Sequence, residues 1–335
     1  MPSQAIFVLG MHRSGTSALT GVLSLLGADP GPSLMPSHES INPKGFWEHE
    51  DIVAIHDRLL EALGSFWHDE RDLPENWWQF PVVILFRREV IEVLRRDFGQ
   101  SPLWIVKDPR MCRLLPLWLD ILHEVGCAPY FVIGLRSPFE VARSLERRDG
   151  FSEAKSCLLW LEYLLEAERW SRAYPRVVVT YDQLLADWQA TSRQIAEGLG
   201  LSWQSRVEDV AARINAFLEP TLRHHHALEQ PARPILLAKL ADEAYRTAIN
   251  TPPDQLDNAL ASIGEEVAQA SRLIAPWVTQ IVAMSKLLRE HQERETHLHA
   301  EIKRVKSTVS WRITKPLRVI WNLLRKIFPG RTVNL

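Results

Sequence analysis

The chain has 335 residues, 46% of them hydrophobic and 24% charged, with a formal net charge of −2 at pH 7. That balance excludes a disordered or fibrous protein and supplies enough apolar material for one large α/β core with appendages. Its three cysteines, Cys112, Cys127 and Cys157, lack metal-ligand spacing, and their odd number excludes a closed disulfide framework.

In chain order, apolar β-rich runs predict strands at 5–9, 103–106, 130–135 and 176–180. Helical periodicity predicts helices at 16–26, 50–63, 82–97, 113–125, 138–147, 153–173 and 189–199. Their alternation predicts a P-loop-type α/β fold, a mainly parallel sheet flanked by helices, with a C-terminal helical extension. Residues 28–50 contain Pro30, Pro32, Pro36 and Pro43 and form a loop too long for a simple connector, so they are expected to carry function. The irregular stretch 64–79 holds Trp67, Trp77 and Trp78, which suit either core packing or stacking on a sugar face.

The first strand runs into Gly10, Met11, His12, Arg13, Ser14, Gly15, Thr16 and Ser17, and then into a helix. The glycines allow a tight turn, and the helix N-terminus behind it offers free N–H groups to an anion. The Gly10-to-Gly15 spacing matches the nucleotide-binding P-loop, but Thr16 stands where that motif requires Lys, and the cation is Arg13 inside the loop. A second strand-turn-helix carries Arg136, Ser137, Pro138 and, two helical turns on, Ser144. Between them, the strand at 103–106 ends in Lys107, Asp108, Pro109 and Arg110. In an open parallel sheet the chemistry gathers beyond the carboxyl ends of the strands, so all three turns are expected to face one crevice.

Arg13-Ser14-Gly15-Thr16-Ser17 resembles the 5′-phosphosulfate loop of the PAPS (3′-phosphoadenosine 5′-phosphosulfate)-dependent sulfotransferases, in their bacterial, carbohydrate- and tyrosylprotein-like branch. Arg136 and Ser144 keep the eight-residue separation with which that family holds the cofactor's 3′-phosphate, and Lys107-Asp108-Pro109 is similar to the segment whose Lys contacts the transferring sulfuryl group. The resemblance covers roughly residues 4–230 and implies a cofactor site of Arg13, Ser14, Gly15, Thr16, Ser17, Arg136 and Ser144. Tyr181, in a strand-end segment that resembles the family's Tyr-(Glu or Asp)-x-Leu, is expected at the nucleotide or its supporting shell. Arg223, with His224, falls where relatives close a basic loop over the phosphates. It further implies PAPS as donor, a hydroxyl acceptor on a carbohydrate, and no metal, since cationic side chains fill the places a metal would serve.

Such chemistry needs a general base to take the acceptor proton. Glu39, Glu48, Glu50, His38, His49 and His56 all lie in or after the long loop. Glu48 is favoured, because Asn42 to Glu48 resembles a segment of bacterial sulfotransferases; Glu50 equally suits the start of a helix, where acidic residues favour the dipole. Arg13, Lys107 and Glu48 are thus the expected catalytic set. Two alternatives stay open: a P-loop small-molecule kinase, for which Asp108 is the obvious Mg²⁺ carboxylate, and a non-catalytic scaffold of a glycan-assembly complex.

The expected organisation is a domain at 1–230, a helical extension at 231–306 without a sustained heptad, and a basic tail at 307–335. Residues 301–335 hold nine Lys or Arg against one Glu, a net +8, leaving about −10 for the rest. On a helical wheel, Leu317, Val319, Ile320, Trp321, Leu323, Leu324, Ile327 and Phe328 share an arc of about 200°, opposite Arg318, Asn322, Arg325 and Lys326. Such a helix suits an anionic membrane surface, or docking on an acidic protein face; nucleic acid is not expected. No apolar run reaches the roughly 20 residues that span a bilayer, and no basic segment with a long apolar stretch follows Met1. The expected location is cytoplasmic, peripheral at the inner face of the membrane.

Overall fold

A computed structural model of the chain describes residues 3–38, 42, 44–218 and 235–327. Its sheet comprises β1 (Gln4–Leu9), β2 (Leu103–Lys107), β3 (Ala128–Leu135) and β4 (Arg176–Thr180). The four strands are parallel in the order β2-β1-β3-β4. They are the four predicted strands, lengthened by at most two residues. Pro129, which argues against a strand from sequence, is accommodated because it lies at the start of β3, ahead of the β4 pairing that begins at Phe131. The register sets Val8 beside Lys107 and Leu9 beside Ile133, so the carboxyl ends of β1, β2 and β3 meet at one edge.

Alternation along the strands splits the core into two layers. Ala5, Phe7, Leu9, Val106, Phe131 and Ile133 face α2 (Glu50–Ala62), α3 (Val83–Val93), α4 (Met111–Val125) and α6 (Glu153–Ser171). Ile6, Val8, Ile105, Val132 and Val177 face the other side, with α1 (Thr16–Leu25), α8 (Trp188–Leu199) and α9 (Val207–Phe217). Between β3 and α6 runs α5 (Pro138–Asp149), started by Pro138 at its first position. The helix expected over 82–97 is in two parts, because after α3 the backbone widens into a π turn over Leu94–Phe98. A short helix not foreseen from sequence, α7 (Tyr181–Ala186), follows β4 directly. Thr180 and Gln183 form its capping box, a local signal present in the chain but masked by the preceding β-rich run.

The first compact unit extends to Ile274, past the boundary at 230 expected from sequence. The reason is packing. In α10 (Leu236–Asn250), Ala238, Ala241, Ala244 and Ala248 give a small-residue face that lies on α5 and α6. Leu256, Leu260, Ile263 and Val267, at the start of α11 (Leu256–Ser307), join the same core. The second unit, Ala275–Leu335, contains the rest of α11, α12 (Val309–Ile313) and α13 (Lys315–Ile327). Among the described residues, no helix is long and apolar enough to cross a membrane.

Candidate active site

The loop after β1 is shaped by three left-handed residues, Gly10 at φ 145°, Arg13 at 72° and Gly15 at 81°. A side chain at Gly10 would put its Cβ 2.4 Å from the carbonyl oxygen of Gly134, and one at Gly15 would meet the Tyr181 ring at 2.2 Å. Both positions therefore require glycine for space as well as for φ. The amide of Gly10 donates to Cys112 Sγ at 3.1 Å, and burial pushes that thiol up to about 12, so it stays a thiol. Arg13, a non-glycine residue in the left-handed region, closes the turn in which Ser14 N donates to Met11 O at 3.2 Å. Past the turn, α1 begins at Thr16 with the unpaired N–H groups common to every helix start.

Arg13, Arg136, Ser144 and Tyr181 come together at one end of this loop. Arg13 Nε donates to Ser144 Oγ at 2.8 Å, joining the first motif to the second across 131 positions of chain. Burial, with Arg148 and Arg136 nearby, lowers the pKa of Arg13, which is what a site poised for an anion does to its own cation. Arg136 Nε is bonded to the buried carboxylate of Glu140 at 2.6 Å, one helical turn on. Its guanidinium carbon stands 5.1 Å from the centroid of the Tyr181 ring. Its Nη2 is buried with no hydrogen-bond partner among the described residues. Glu140 thus orients Arg136 and leaves it one charged donor to spend on a ligand. Tyr181 roofs Gly15 and lines the cavity.

The other end of the loop holds Lys107 and Glu48. Lys107 Nζ donates to Glu48 Oε1 at 2.5 Å, to Phe46 O at 3.0 Å and to Ser17 Oγ at 3.1 Å. Ser17 Oγ itself donates to Phe46 O at 3.0 Å, so this hydroxyl, expected on the cofactor, also clamps the long loop. Glu48 is set by local pairing: Met35 N donates to Glu48 O and Glu50 N to Ser33 O, both at 2.8 Å, forming a short antiparallel ladder. Burial pushes the Glu48 carboxyl above the usual carboxylate range, against the pull of the Lys107 ammonium. A carboxylate so placed is a stronger base than one in water.

The remaining candidates divide cleanly. Glu50 is exposed and begins α2. His49 is buried on Asp97 at 2.9 Å, and His38 is exposed. His56 accepts from Trp118 Nε1 at 2.8 Å, which leaves Nδ1–H to donate to Asp108 at 2.7 Å. Asp108 also accepts from Arg110 Nη1 at 2.9 Å and from the Arg110 amide at 3.0 Å, and the Arg110 charge with these hydrogen bonds holds its pKa low against burial. The expectation that Asp108 faces the crevice fails, since this fully buried carboxylate braces the turn after Lys107 and aims Arg110. Glu39, Arg223 and His224 lie outside the described residues.

Arg13, Ser17, Glu48, Lys107, Arg136 and Tyr181 line a cavity of about 1020 Å³, large enough for a nucleotide and an acceptor together. Arg13 and Lys107 both border it, Arg13 at the Ser144 end and Lys107 at the Glu48 end. Sequence reasoning missed His12, Arg147 and Arg148 on its wall. Arg148 lies four residues after Ser144 on α5, hence on the same helical face, a spacing that could have exposed it. Its guanidinium sits 5.2 Å from the Trp67 ring centroid, and the His12 ring lies 4.4 Å from the same tryptophan. Burial and the charges of Arg110 and Arg148 push the His12 pKa far down, so the ring is neutral, and its Nε2 is buried without a partner among the described residues. Of the three tryptophans flagged at 64–79, Trp67 alone lines the cavity; Trp77 is buried in the core and Trp78 packs on it.

Comparison with known proteins bears on this arrangement. The chain is similar to the sulfotransferase domain of the Synechococcus PCC 7002 olefin synthase, at 17% identity and a TM-score of 0.40, over 73% of this chain and 95% of that one. The sulfotransferase domain from the curacin biosynthetic pathway gives 14% identity and 0.39, over 73% and 98%. A sulfotransferase of Mycobacterium avium gives 15% and 0.36, over 78% and 76%. A ribosome-binding factor A from Baumannia cicadellinicola subsp. Homalodisca coagulata is 24% identical over 102 residues, 30% of this chain and 75% of that protein. Likenesses so distant carry no weight on function. The description "Sulfotransferase family" matches residues 5–205, more than half of the chain and all three strand-end motifs, and the protein therefore belongs to the sulfotransferase family, whose members are PAPS-dependent enzymes.

Proposed function

We propose that this enzyme transfers the sulfuryl group of PAPS to a hydroxyl of a carbohydrate, in the assembly of a surface polysaccharide or glycolipid. The observation that carries the reading is the division of one cavity into an Arg13–Ser144–Arg136 end and a Lys107–Glu48 end, on either side of a phosphate-type loop. The spare Nη2 of Arg136 and the space kept open by Gly10 and Gly15 fit a phosphorylated nucleotide. Arg136 and Ser144 hold the 3′-phosphate, and the first turn of α1 with Ser17 holds the 5′-phosphosulfate. Lys107, released from Phe46 and Ser17, neutralises charge that builds on the sulfuryl oxygens and the bridging oxygen. Glu48 takes the acceptor proton as its oxygen attacks sulfur. Lys107, Arg110 and Arg148 on the cavity wall, with the edge of Trp67 among them, suit a sugar ring bearing an anionic substituent.

Calorimetry tests the reading directly. The purified protein is expected to bind 3′-phosphoadenosine 5′-phosphate (PAP) without metal and to give no heat with ATP and Mg²⁺. ATP binding without PAP binding indicates a kinase, and binding of neither indicates the scaffold.

The basic tail belongs to the same proposal, as a peripheral anchor at an anionic membrane face. Leu317, Val319 and Ile320 on α13 are exposed, and the wheel of this helix has a cationic face opposite its apolar one. Truncation after Lys306 is expected to leave PAP binding intact and to abolish sedimentation with vesicles of anionic lipid. For the intact protein, sedimentation should weaken with added salt, because part of the attraction is Coulombic. An intact protein that ignores such vesicles at low salt sinks the anchor.

A further inference from the structure

We infer that the second unit is a dimerisation arm, in which α11 pairs with α11 of a second copy of this chain as an antiparallel coiled coil centred between His291 and Glu295. The sequence alone shows no sustained heptad, because two polar residues interrupt it. The structure makes the segment one continuous helix to Ser307 and leaves a row of large apolar side chains in solvent. Ile281, Met284, Leu288, Leu298, Ile302 and Val305 are each 50% exposed or more, and Trp277 extends the row at 69%. Their spacings alternate between three and four once His291 and Glu295 are counted in the row, which is the a/d seam of a two-stranded coiled coil. A lone helix has no reason to hold such a seam in water, and nothing among the described residues covers it.

The two interrupting residues choose the occupant and its direction. In a parallel pair, each layer meets its own copy, so Glu295 faces Glu295 and His291 faces His291, a like-charge layer beside a layer of two imidazoles. In an antiparallel pair about a twofold axis between them, His291 faces Glu295 of the other copy, twice. The same axis puts Leu288 against Leu298, Met284 against Ile302 and Ile281 against Val305, so every other layer is apolar on both sides. An interface with this symmetry is isologous and closes at two copies, which excludes an open filament. Seven exposed seam residues per copy, fourteen in all at roughly 100 Å² each, bury about 1,400 Å², within the range of stable specific interfaces. Polar layers at seam positions that fix direction at some cost in stability are a known device of coiled coils, and here there are two, related by the axis.

The test uses the full chain. Sedimentation equilibrium at about 10 µM is expected to give a dimer, and Leu288→Glu with Ile302→Glu should give a monomer that still binds PAP. Direction is read by cysteine pairs, since Cys112, Cys127 and Cys157 are buried. Ile281→Cys combined with Val305→Cys should cross-link on mild oxidation, while each single variant should not. His291→Glu should weaken the dimer at least tenfold, and adding Glu295→His should restore it, because the swap re-forms the same pairs. A monomeric wild type, a dimer that survives the two glutamates, or cross-linking by the single cysteines overturns the inference.

Discussion

Glu48→Gln should lower turnover by about 10²-fold or more and leave PAP affinity within a few fold of wild type. The side chain lies against Lys107 on the cavity wall, at the Lys107 end, so the loss belongs to the chemical step. The pH dependence carries a sign that identifies the group. Because burial raises the Glu48 pKa, the acid limb of kcat/KM should stand above the ordinary glutamate range, with the rate rising as pH rises through it. Glu48→Gln should lose that limb. Stability runs the other way. A carboxyl whose folded pKa is raised contributes stability below its unfolded pKa and loses it as pH rises through the folded value. At neutral pH glutamine removes that cost but leaves the buried Lys107 ammonium without its counter-charge, so Tm is expected to fall as well. Lys107→Ala should cost turnover as heavily, and it should also lower Tm, because Glu48 is left buried without its partner. Undiminished turnover in Glu48→Gln moves the base to Glu39, Glu50 or a histidine of the loop.

Arg136→Ala should weaken PAP binding by about one to two decades, the effect of removing a charge-assisted phosphate contact of roughly 1.5–3 kcal/mol. Adenosine 5′-phosphosulfate, which lacks the 3′-phosphate, should feel the change far less. Equal losses for the two ligands would falsify the assignment of Arg136. The ion pair with Glu140 adds a complication that the design must absorb. Both side chains are nearly inaccessible, at 11% and 2%, so removing Arg136 alone strands a buried carboxylate and lowers Tm. Arg136→Leu with Glu140→Leu removes both charges, and it should recover Tm without recovering affinity for PAP.

Four strands, three strand-end motifs and the Gly10–Gly15 turn were legible in the chain because they are local. A strand is written in a run of four to six apolar residues, and a tight turn in its glycines. Lys107 and Glu48 were both named from sequence, but their pairing spans 59 positions, with Glu48 held by the ladder between 33–35 and 48–50 and Lys107 by the end of β2. Arg13 and Ser144 were each named from their own motif, but the bond from Arg13 Nε to Ser144 Oγ joins them across 131 positions, which no local pattern records. Asp108 reads as a site carboxylate in the chain, and only the buried His56 and Arg110 decide that it is a brace. The extent of the first unit was likewise undecidable locally. The alanine face of α10 has weak hydrophobicity of its own, and it enters the core because α5 and α6 offer a surface that close. Composition and periodicity thus determined which elements exist and what chemistry each turn carries. The strand order β2-β1-β3 decided which turns share a cavity, because neighbours in a sheet are chosen by packing between segments a hundred residues apart, for which a local sequence pattern has no term.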